Sequence, residues 1–348
     1  MNKFNTDDFD YILPKKFIAQ KPVEPRDHSK LMILDRQSKE IDHSYFYNLP
    51  NYLNKGDLLI LNNTRVIPAK LTGKIEGKKS NIEILLLEKI NKNYWKVLAK
   101  PGKKLKPGTK LSIYKESELN QINAKVDSIE EDGSRILFFS EPELLSKIGD
   151  MPLPPYIKNK LENQERYQTV YSKINGSIAA PTAGLHFTPT LISNLISMGI
   201  EIVYITLHVG WGTFNPVKET NASNHLMHEE YWNLTNDSSS KINEAIKNKR
   251  RIIAVGTTCT RLLEHVASKS KSSPVLFQPG SGKTSLFILP GYKFLITDSL
   301  ITNFHLPKST LLMLTEAFTG KTLINKAYEQ AKINNYRFYS LGDSMLII

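Results

Sequence analysis

Short apolar runs punctuate the first sixty positions. Leu31-Met32-Ile33-Leu34 and Leu58-Leu59-Ile60-Leu61 are each bounded by turn residues and predict buried strands, the first over 31–36. Segment 11–20 predicts a short helix after Pro14, and 45–53 a short helix broken at Pro50. From 66 to 155 the pattern changes to strand-like runs at 70–76, 81–90, 94–100, 109–114, 122–129 and 134–140. The links between them carry Gly, Lys, Asn or Asp. This is the spacing of hairpins in a small all-β module, with Pro152, Pro154 and Pro155 marking its exit.

Helical periodicity appears after position 188. Thr188 reads as an N-cap and Pro189 as the first helical residue. Leu191, Ile192, Leu195 and Ile196 form the apolar stripe, and Gly199 ends it. A strand over 200–207 follows, then a glycine-rich loop over 208–216. Next come a helix capped by Ser238-Ser239-Ser240 and running to 249, a strand over 251–255, a loop at Gly256-Thr257-Thr258 and a helix over 259–267. A polar loop over 269–284 precedes a hairpin of 285–289 with 293–297. Helices over 308–318 and 322–333 and a terminal hairpin of 336–340 with 345–348 complete the chain. The expected fold class is α/β, mixed α+β, with a discontinuous catalytic domain over 1–65 and 156–348. An inserted small all-β barrel domain is expected over 66–155.

Composition changes this picture modestly. The chain has 348 residues, room for two domains, and Lys plus Arg outnumber Asp plus Glu by 46 to 34 for a net charge of +12. That excess suits an anionic partner such as nucleic acid, although a lysine-rich solubilising surface explains it equally well. Cys259 is the single cysteine, which excludes an internal disulfide and a multi-cysteine zinc site. Without an apolar run of bilayer length or a signal peptide, a cytoplasmic protein with no membrane partner is expected. Gly282-Lys283-Thr284 is not a phosphate-binding P-loop, because Phe277 stands where that motif needs Gly.

Several polar clusters stand at predicted strand ends or helix starts. The run Ile178-Ala179-Ala180-Pro181-Thr182-Ala183-Gly184-Leu185-His186-Phe187-Thr188 places small residues and a histidine before a helix start. Backbone approach is easy there, and the free N–H groups favour negative charge. Taken alone, His186 reads more readily as a core histidine. Asn62-Asn63-Thr64-Arg65 ends a strand, either as a recognition loop or as a turn closed on its own backbone. Trp211 lies between Gly210 and Gly212, as a stacking face or in a bulge with a half-buried indole. His225 and His228 precede Glu229 at a spacing that offers two imidazoles but no third metal ligand, so no metal is expected. Thr257 and Thr258, with Arg261 one turn on, form a further strand–loop–helix unit. Cys259 reads as a packed thiol. Thr302, Asn303 and His305 again precede a helix.

Taken together, these words resemble the S-adenosylmethionine:tRNA ribosyltransferase-isomerase family of epoxyqueuosine biosynthesis. The resemblance rests on Arg26-Asp27-x-Ser29, Leu61 through Ala69, Ala179 through Thr188 and Leu207-His208-Val209-Gly210-x-Gly212-Thr213-Phe214. It extends through His225-x-Met227-His228-Glu229, Val255-Gly256-Thr257-Thr258, Thr302 through Thr310 and Tyr336-Arg337-Phe338. Lys30, Leu341 and Ser344 depart from the family pattern without touching a chemical group. The resemblance implies an α/β catalytic domain with an inserted barrel. It also implies a reaction in which the ribosyl part of S-adenosylmethionine moves to 7-aminomethyl-7-deazaguanine at the wobble position of tRNA. There it is rearranged to an epoxy-cyclopentanediol, with adenine and methionine released. S-adenosylmethionine is then a consumed substrate, no further cofactor is required, the partner is tRNA bearing the modified base in its anticodon, and a monomer is expected.

The residues suit that chemistry. A sulfonium acidifies the adjacent 5′-methylene, so a base of near-neutral pKa is wanted. His186, His208 and His305 are candidates, with His225 and His228 also in motif loops. Glu229 and Asp343 are candidates to face the sulfonium or the methionine ammonium, and Arg65 or Arg261 to take the carboxylate. Trp211 or Phe214 would stack on adenine or the modified base. The wider set expected to touch substrate is Arg26, Asp27, Asn62, Asn63, Thr64, Pro181, Thr182, Ala183, Gly184, Phe187, Gly210, Gly212, Thr213, Thr257, Thr258, Thr302 and Asn303. An S-adenosylmethionine-dependent RNA methyltransferase would need a glycine-rich loop after its first strand, which is missing. A non-catalytic RNA-binding protein leaves the histidine loops without purpose, and a zinc base-exchange enzyme lacks its cysteines.

Overall fold

The computed structural model describes residues 4–78, 80–115, 121–159, 161–214 and 216–348, except the side chain of Phe214. The chain divides into two compact units. One comprises Met1–Arg65, Pro154–Ile174 and Ala180–Ile348, the other Val66–Leu153 with Asn175–Ala179.

The first unit is built on a nine-stranded sheet. Its order is Gly280–Thr284, Glu230–Leu234, Glu201–Leu207, Leu58–Asn62, Ile252–Val255, Ser299–Asn303, Ser344–Ile347, Lys30–Leu34 and Ile41–Tyr45. The four strands Glu201–Leu207, Leu58–Asn62, Ile252–Val255 and Ser299–Asn303 run parallel in register. Three of them are buried along their whole length, as sheets covered on both faces require, and two, Leu58–Asn62 and Ile252–Val255, stand out as apolar runs for that reason. Helices Pro189–Ser197, Asn236–Lys247, Thr257–Lys269, Thr310–Thr319 and Lys321–Ile333 supply the cover. Leu31, Phe46, Leu59, Leu61, Phe187, Leu195, Ile253, Ile301 and Leu346 share one core.

Several expectations need correction here. Segment 11–20 forms only a 3-10 turn, Lys15–Phe17, because Ile18 is drawn into an extended bridge with Phe338. The helix expected from Ser238 starts at Asn236, with Thr235 as the N-cap. The helix expected from Cys259 starts at Thr257, where Gly256 at φ 90° makes the turn. The hairpin of 285–289 with 293–297 does not form. Instead, the buried Glu264 carboxylate accepts hydrogen bonds from the backbone N–H groups of Leu295, Ile296 and Thr297 and from Thr297 Oγ1, so this backbone is engaged by a side chain. The strand lies in the polar stretch before it, Gly280–Thr284, paired with Glu230–Leu234. The terminal hairpin is absent too: Ser344–Ile347 inserts between Lys30–Leu34, to which it is parallel, and Ser299–Asn303.

The second unit is a closed six-stranded antiparallel barrel. Its order is Arg135–Phe139, Tyr94–Lys100, Asn81–Lys89, Lys70–Ile75, Lys110–Tyr114 and Gln121–Ile129. Alternation along the strands sends Leu71, Ile84, Val97, Ile113, Val126 and Leu137 inward. At Gly73 a Cβ would lie 2.9 Å from the Ser112 carbonyl oxygen, so only glycine allows that approach of neighbouring strands. Among the described residues, no helix is long and apolar enough to cross a membrane.

Candidate active site

The parallel strands of the first unit place their carboxyl ends together, and the loops that follow them line a cleft. Pro181, Thr182 and Ala183 come from the small-residue run. Val209 and Thr213 follow the Glu201–Leu207 strand, Gly256, Thr257 and Thr258 follow Ile252–Val255, and Thr302, Asn303 and His305 close the Ser299–Asn303 end. The turn at Thr182–His186 is possible because Gly184 has no side chain: a Cβ there would lie 2.1 Å from the Tyr171 hydroxyl. Thr188 caps the next helix by accepting from Leu191 N at 3.1 Å.

His305 lines this cleft and is held at three points. Its Nε2 lies 2.8 Å from Thr302 Oγ1, its backbone N donates to Tyr328 Oη at 2.8 Å, and its carbonyl accepts from the Tyr11 hydroxyl. The Thr302 contact engages Nε2 and leaves Nδ1 outside that hydrogen bond. Burial lowers the imidazole pKa to about 3, so the ring is neutral at neutral pH.

His186 is set differently. It is buried, with Nδ1 2.7 Å from Ser29 Oγ and Nε2 3.1 Å from Asn303 Nδ2. Since the amide nitrogen donates, Nε2 accepts and Nδ1 carries the proton toward Ser29. Burial, then the charges of Arg337, Arg166 and Arg26, lower its pKa to about 3. His186 lines a second, smaller cleft, and Ser340 lines both clefts. Asn303 Nδ2 also reaches the carbonyls of Tyr339 and Asp343, at 3.4 and 3.3 Å. Its Oδ1 is buried without a partner, an acceptor in the cleft lining.

Other candidates serve the framework. Asn62 staples two strands, donating to the Leu207 carbonyl at 2.9 Å and accepting from Leu207 N and Thr64 N. Asn63 Oδ1 accepts from Thr206 Oγ1 at 2.7 Å. Thr64 Oγ1 meets His208 Nδ1 at 2.8 Å, and His208 stacks on Tyr231. Burial lowers the pKa of His208, but its ring does not line the cleft. Arg65 pairs with Glu165 and donates to Ser172. Asp343 accepts from the backbone N–H of Lys30 and Arg337, and burial raises its pKa. Asp27 accepts from Thr188 Oγ1, and Phe187 is a core residue packed edge-on to Phe46. Arg26 donates to the carbonyls of Gln168, Leu185 and Glu165. Cys259 is buried, which pushes its thiol up and leaves it a packing residue.

The acidic residue that matters near the glycine-rich loop is Glu230. Glu229 is exposed, 3.9 Å from Lys283, whereas Glu230 is buried, pairs with Arg261 and accepts from Gly210 N at 2.9 Å. Arg261 is therefore a buried partner of Glu230 rather than a residue facing the cleft. Gly212 packs against His228, a Cβ there coming within 2.3 Å of the ring, and His225 pairs with Glu219 at 2.9 Å. Trp211 sits half-buried in the 3-10 turn Trp211–Phe214, and the Phe214 side chain falls outside the described residues. Among the described residues, no three His, Cys, Asp or Glu side chains gather as metal ligands. Tyr156, Tyr339 and Ser340 line the cleft without carrying a sequence signal, while Ser29, the brace of His186, lies inside the Arg26-Asp27-x-Ser29 motif.

The chain is similar along nearly its whole length to one protein family. The model of the queuosine biosynthesis protein family matches residues 6–347. The S-adenosylmethionine:tRNA ribosyltransferase-isomerase of Dehalococcoides mccartyi strain CBDB1 is 49% identical over 343 residues, 99% of each chain. The protein of the same name from Finegoldia magna is 52% identical over 347 residues, 99% of this chain and 98% of its own. The crystal structure of S-adenosylmethionine tRNA ribosyltransferase from Thermotoga maritima is 38% identical, with a TM-score of 0.57, across 98% of this chain and 100% of that one. With matched loops converging on one cleft and near-complete coverage, the chain belongs to the queuosine biosynthesis protein family.

Proposed function

We propose that the protein is an S-adenosylmethionine:tRNA ribosyltransferase-isomerase. It moves the ribosyl moiety of S-adenosylmethionine to 7-aminomethyl-7-deazaguanine at the tRNA wobble position and rearranges it, giving epoxyqueuosine in the RNA with release of adenine and methionine. The observation that carries this reading is full-length identity near 50% to enzymes of that name, in a chain whose matched loops meet at one cleft.

In that cleft His305 is the proton acceptor. Its neutral Nδ1 takes a proton from the 5′-methylene beside the sulfonium, and Thr302 fixes the opposite nitrogen. Burial makes the imidazole a weak base, but the carbanion left at the methylene pairs with the new imidazolium and offsets the penalty. His186 positions Asn303, whose unpaired Oδ1 accepts a hydrogen bond from a substrate amine. Thr257 and Thr258, at the start of the Thr257–Lys269 helix, offer hydroxyl and backbone donors to the ribose. The donor is consumed and no further cofactor is called for. The protein works as a monomer in the cytoplasm.

The test mixes purified protein, S-adenosylmethionine and tRNA carrying the aminomethyl-deazaguanine. Adenine and methionine in equal amounts, with the ribosyl mass added to the RNA, are expected. S-adenosylhomocysteine among the products would instead identify a methyltransferase.

A further inference from the structure

The second cleft holds an unusual concentration of positive charge. Arg26, Arg166 and Arg337 all line it, with Ser29, His186 and Ser340 beside them. Most of their bonds go to backbone carbonyls rather than carboxylates. Arg26 donates to Gln168, Leu185 and Glu165, Arg166 Nη2 to the Val23 carbonyl at 2.7 Å, and Arg337 Nη1 to the Lys21 carbonyl at 2.9 Å. Three carboxylates are near: Glu24, exposed and paired with Arg166 Nε, Glu165, exposed and paired with Arg65, and Asp343, 3.8 Å from Arg337 Nη2 and turned toward backbone N–H groups. Arg166 Nη1 and Arg337 Nη2 remain buried with no hydrogen-bond partner. Buried guanidinium donors without acceptors are costly, and two lining one cavity mark a place for a ligand that accepts.

We infer that this arginine cleft is an oxyanion subsite for one of the two substrates of the reaction proposed above, on which the inference rests. Planar guanidinium forks suit a carboxylate or a phosphate equally. The cleft adjoins the His305 cleft through Ser340 and the His186–Asn303 contact, so its oxyanion belongs to a group a few bonds from the reacting atoms. Two such groups exist: the methionyl carboxylate of the donor and the backbone phosphate next to the wobble nucleotide.

The experiment measures binding of S-adenosylmethionine and of tRNA separately, on the full chain, for Arg166→Gln, Arg337→Gln and Arg166→Lys. Thermal unfolding verifies that each variant folds. If the oxyanion is the donor carboxylate, S-adenosylmethionine binds about ten- to a hundredfold more weakly to the Gln variants. The unaltered protein then also binds decarboxylated S-adenosylmethionine weakly, a measurement that needs no variant. If it is a phosphate, donor binding is unchanged and the slope of log K for tRNA against log salt falls by about one per arginine. In either case Arg166→Lys recovers only part of the loss, because a point charge replaces the fork. The inference is overturned if the unaltered protein binds the decarboxylated donor as well as the intact one and the Gln variants keep both affinities and the salt slope. Failure of the reaction itself reads out separately, as absence of adenine from the unaltered protein.

Discussion

Removing Glu230 should damage both the fold and the cleft. Its side chain is 4% exposed and that of Arg261 6%, so the pair is shielded from water. One carboxylate oxygen takes the Arg261 Nη1 hydrogen bond, and the other takes Gly210 N at 2.9 Å and Thr213 Oγ1 at 3.3 Å. Arg261 has one further bond, Nε to the Leu286 carbonyl at 2.9 Å, while its Nη2 has none. Glu230→Ala therefore leaves a buried cation with a single acceptor and frees the loop that carries Thr213 into the cleft. Breaking a buried pair from one side costs about 3–5 kcal/mol. At about 2–4 °C per kcal/mol for a domain near this size, melting should fall by roughly 6–20 °C. Arg261→Met with Glu230→Gln removes both charges, and the pair should be less damaging than the sum of the singles by at least about 1 kcal/mol. Thermal unfolding of the parent, Glu230→Ala, the two singles and the double, with the KM for S-adenosylmethionine at a permissive temperature, provides the assay; the KM should rise in Glu230→Ala as Thr213 loses its tether. A melting point within about 2 °C of the parent would mean less than about 1 kcal/mol and would refute the claim that this pair braces the loop.

His305→Gln should slow adenine release by about 10²–10⁴ with donor binding retained, and Thr302→Val should give a smaller loss of the same kind; turnover within a few-fold of the parent in the first variant would remove His305 from proton transfer. Acid should destabilise the fold through both buried histidines. Each has a folded pKa near 3 against an ordinary value of about 6.5, so below about pH 6.5 the unfolded state binds the extra proton. Their stabilising contribution is complete above that pH and falls by about 1.4 kcal/mol per histidine per unit as pH drops toward 3, on the order of 4 kcal/mol for the two at pH 5. Urea titrations at pH 7.5 and 5.0 check this, and His305→Gln should remove about half of the drop. Gly184→Ala should destabilise by about 1–3 kcal/mol, since its Cβ would meet the Tyr171 hydroxyl at 2.1 Å and Thr169 Cγ2 at 2.9 Å; unchanged thermal unfolding would show that the turn relaxes freely.

What could be read from the sequence follows from the physics of each element. Leu58–Asn62 and Ile252–Val255 are buried on both faces and announce themselves as apolar runs, whereas Ser299–Asn303, equally buried, carries Ser, Thr and Asn and does not. The barrel strands alternate cleanly because one face packs and the other meets water, as along Gln121–Ile129. Ile41–Tyr45 and Gly280–Thr284 were illegible because each is an outermost strand whose residues are mostly exposed, so no hydrophobic pattern marks them. The apolar residues 285–289 suggested a strand, but Glu264, far away in the chain, captures the backbone of its intended partner. At the site, motif loops revealed position but not direction. Asn62, Asn63 and Arg65 have side chains suited to a ligand, yet they close on Leu207, Thr206 and Glu165. Glu229 and Glu230 are adjacent and chemically identical; only the second begins the Glu230–Leu234 strand and turns inward onto Arg261 and Gly210 N.

The division between bracing and reacting residues follows from where the parallel strands end. Each of the four delivers a polar loop to the same edge, and a cluster of polar groups there must satisfy itself before it can meet a substrate. The Leu58–Asn62 and Glu201–Leu207 ends do so with each other: Asn62, Asn63, Thr64, Thr206 and His208 are bonded among themselves or to adjoining backbone. The Ile252–Val255 and Ser299–Asn303 ends are less complete. Asn303 Oδ1 is left without a partner, and the bond from Thr302 occupies only one nitrogen of His305. Unspent hydrogen-bonding capacity is thus concentrated on one side of the cleft, beside the arginine-lined recess that leaves two guanidinium donors open. A substrate that bridges the two recesses satisfies acceptor and donors together, which a ligand confined to either could not do.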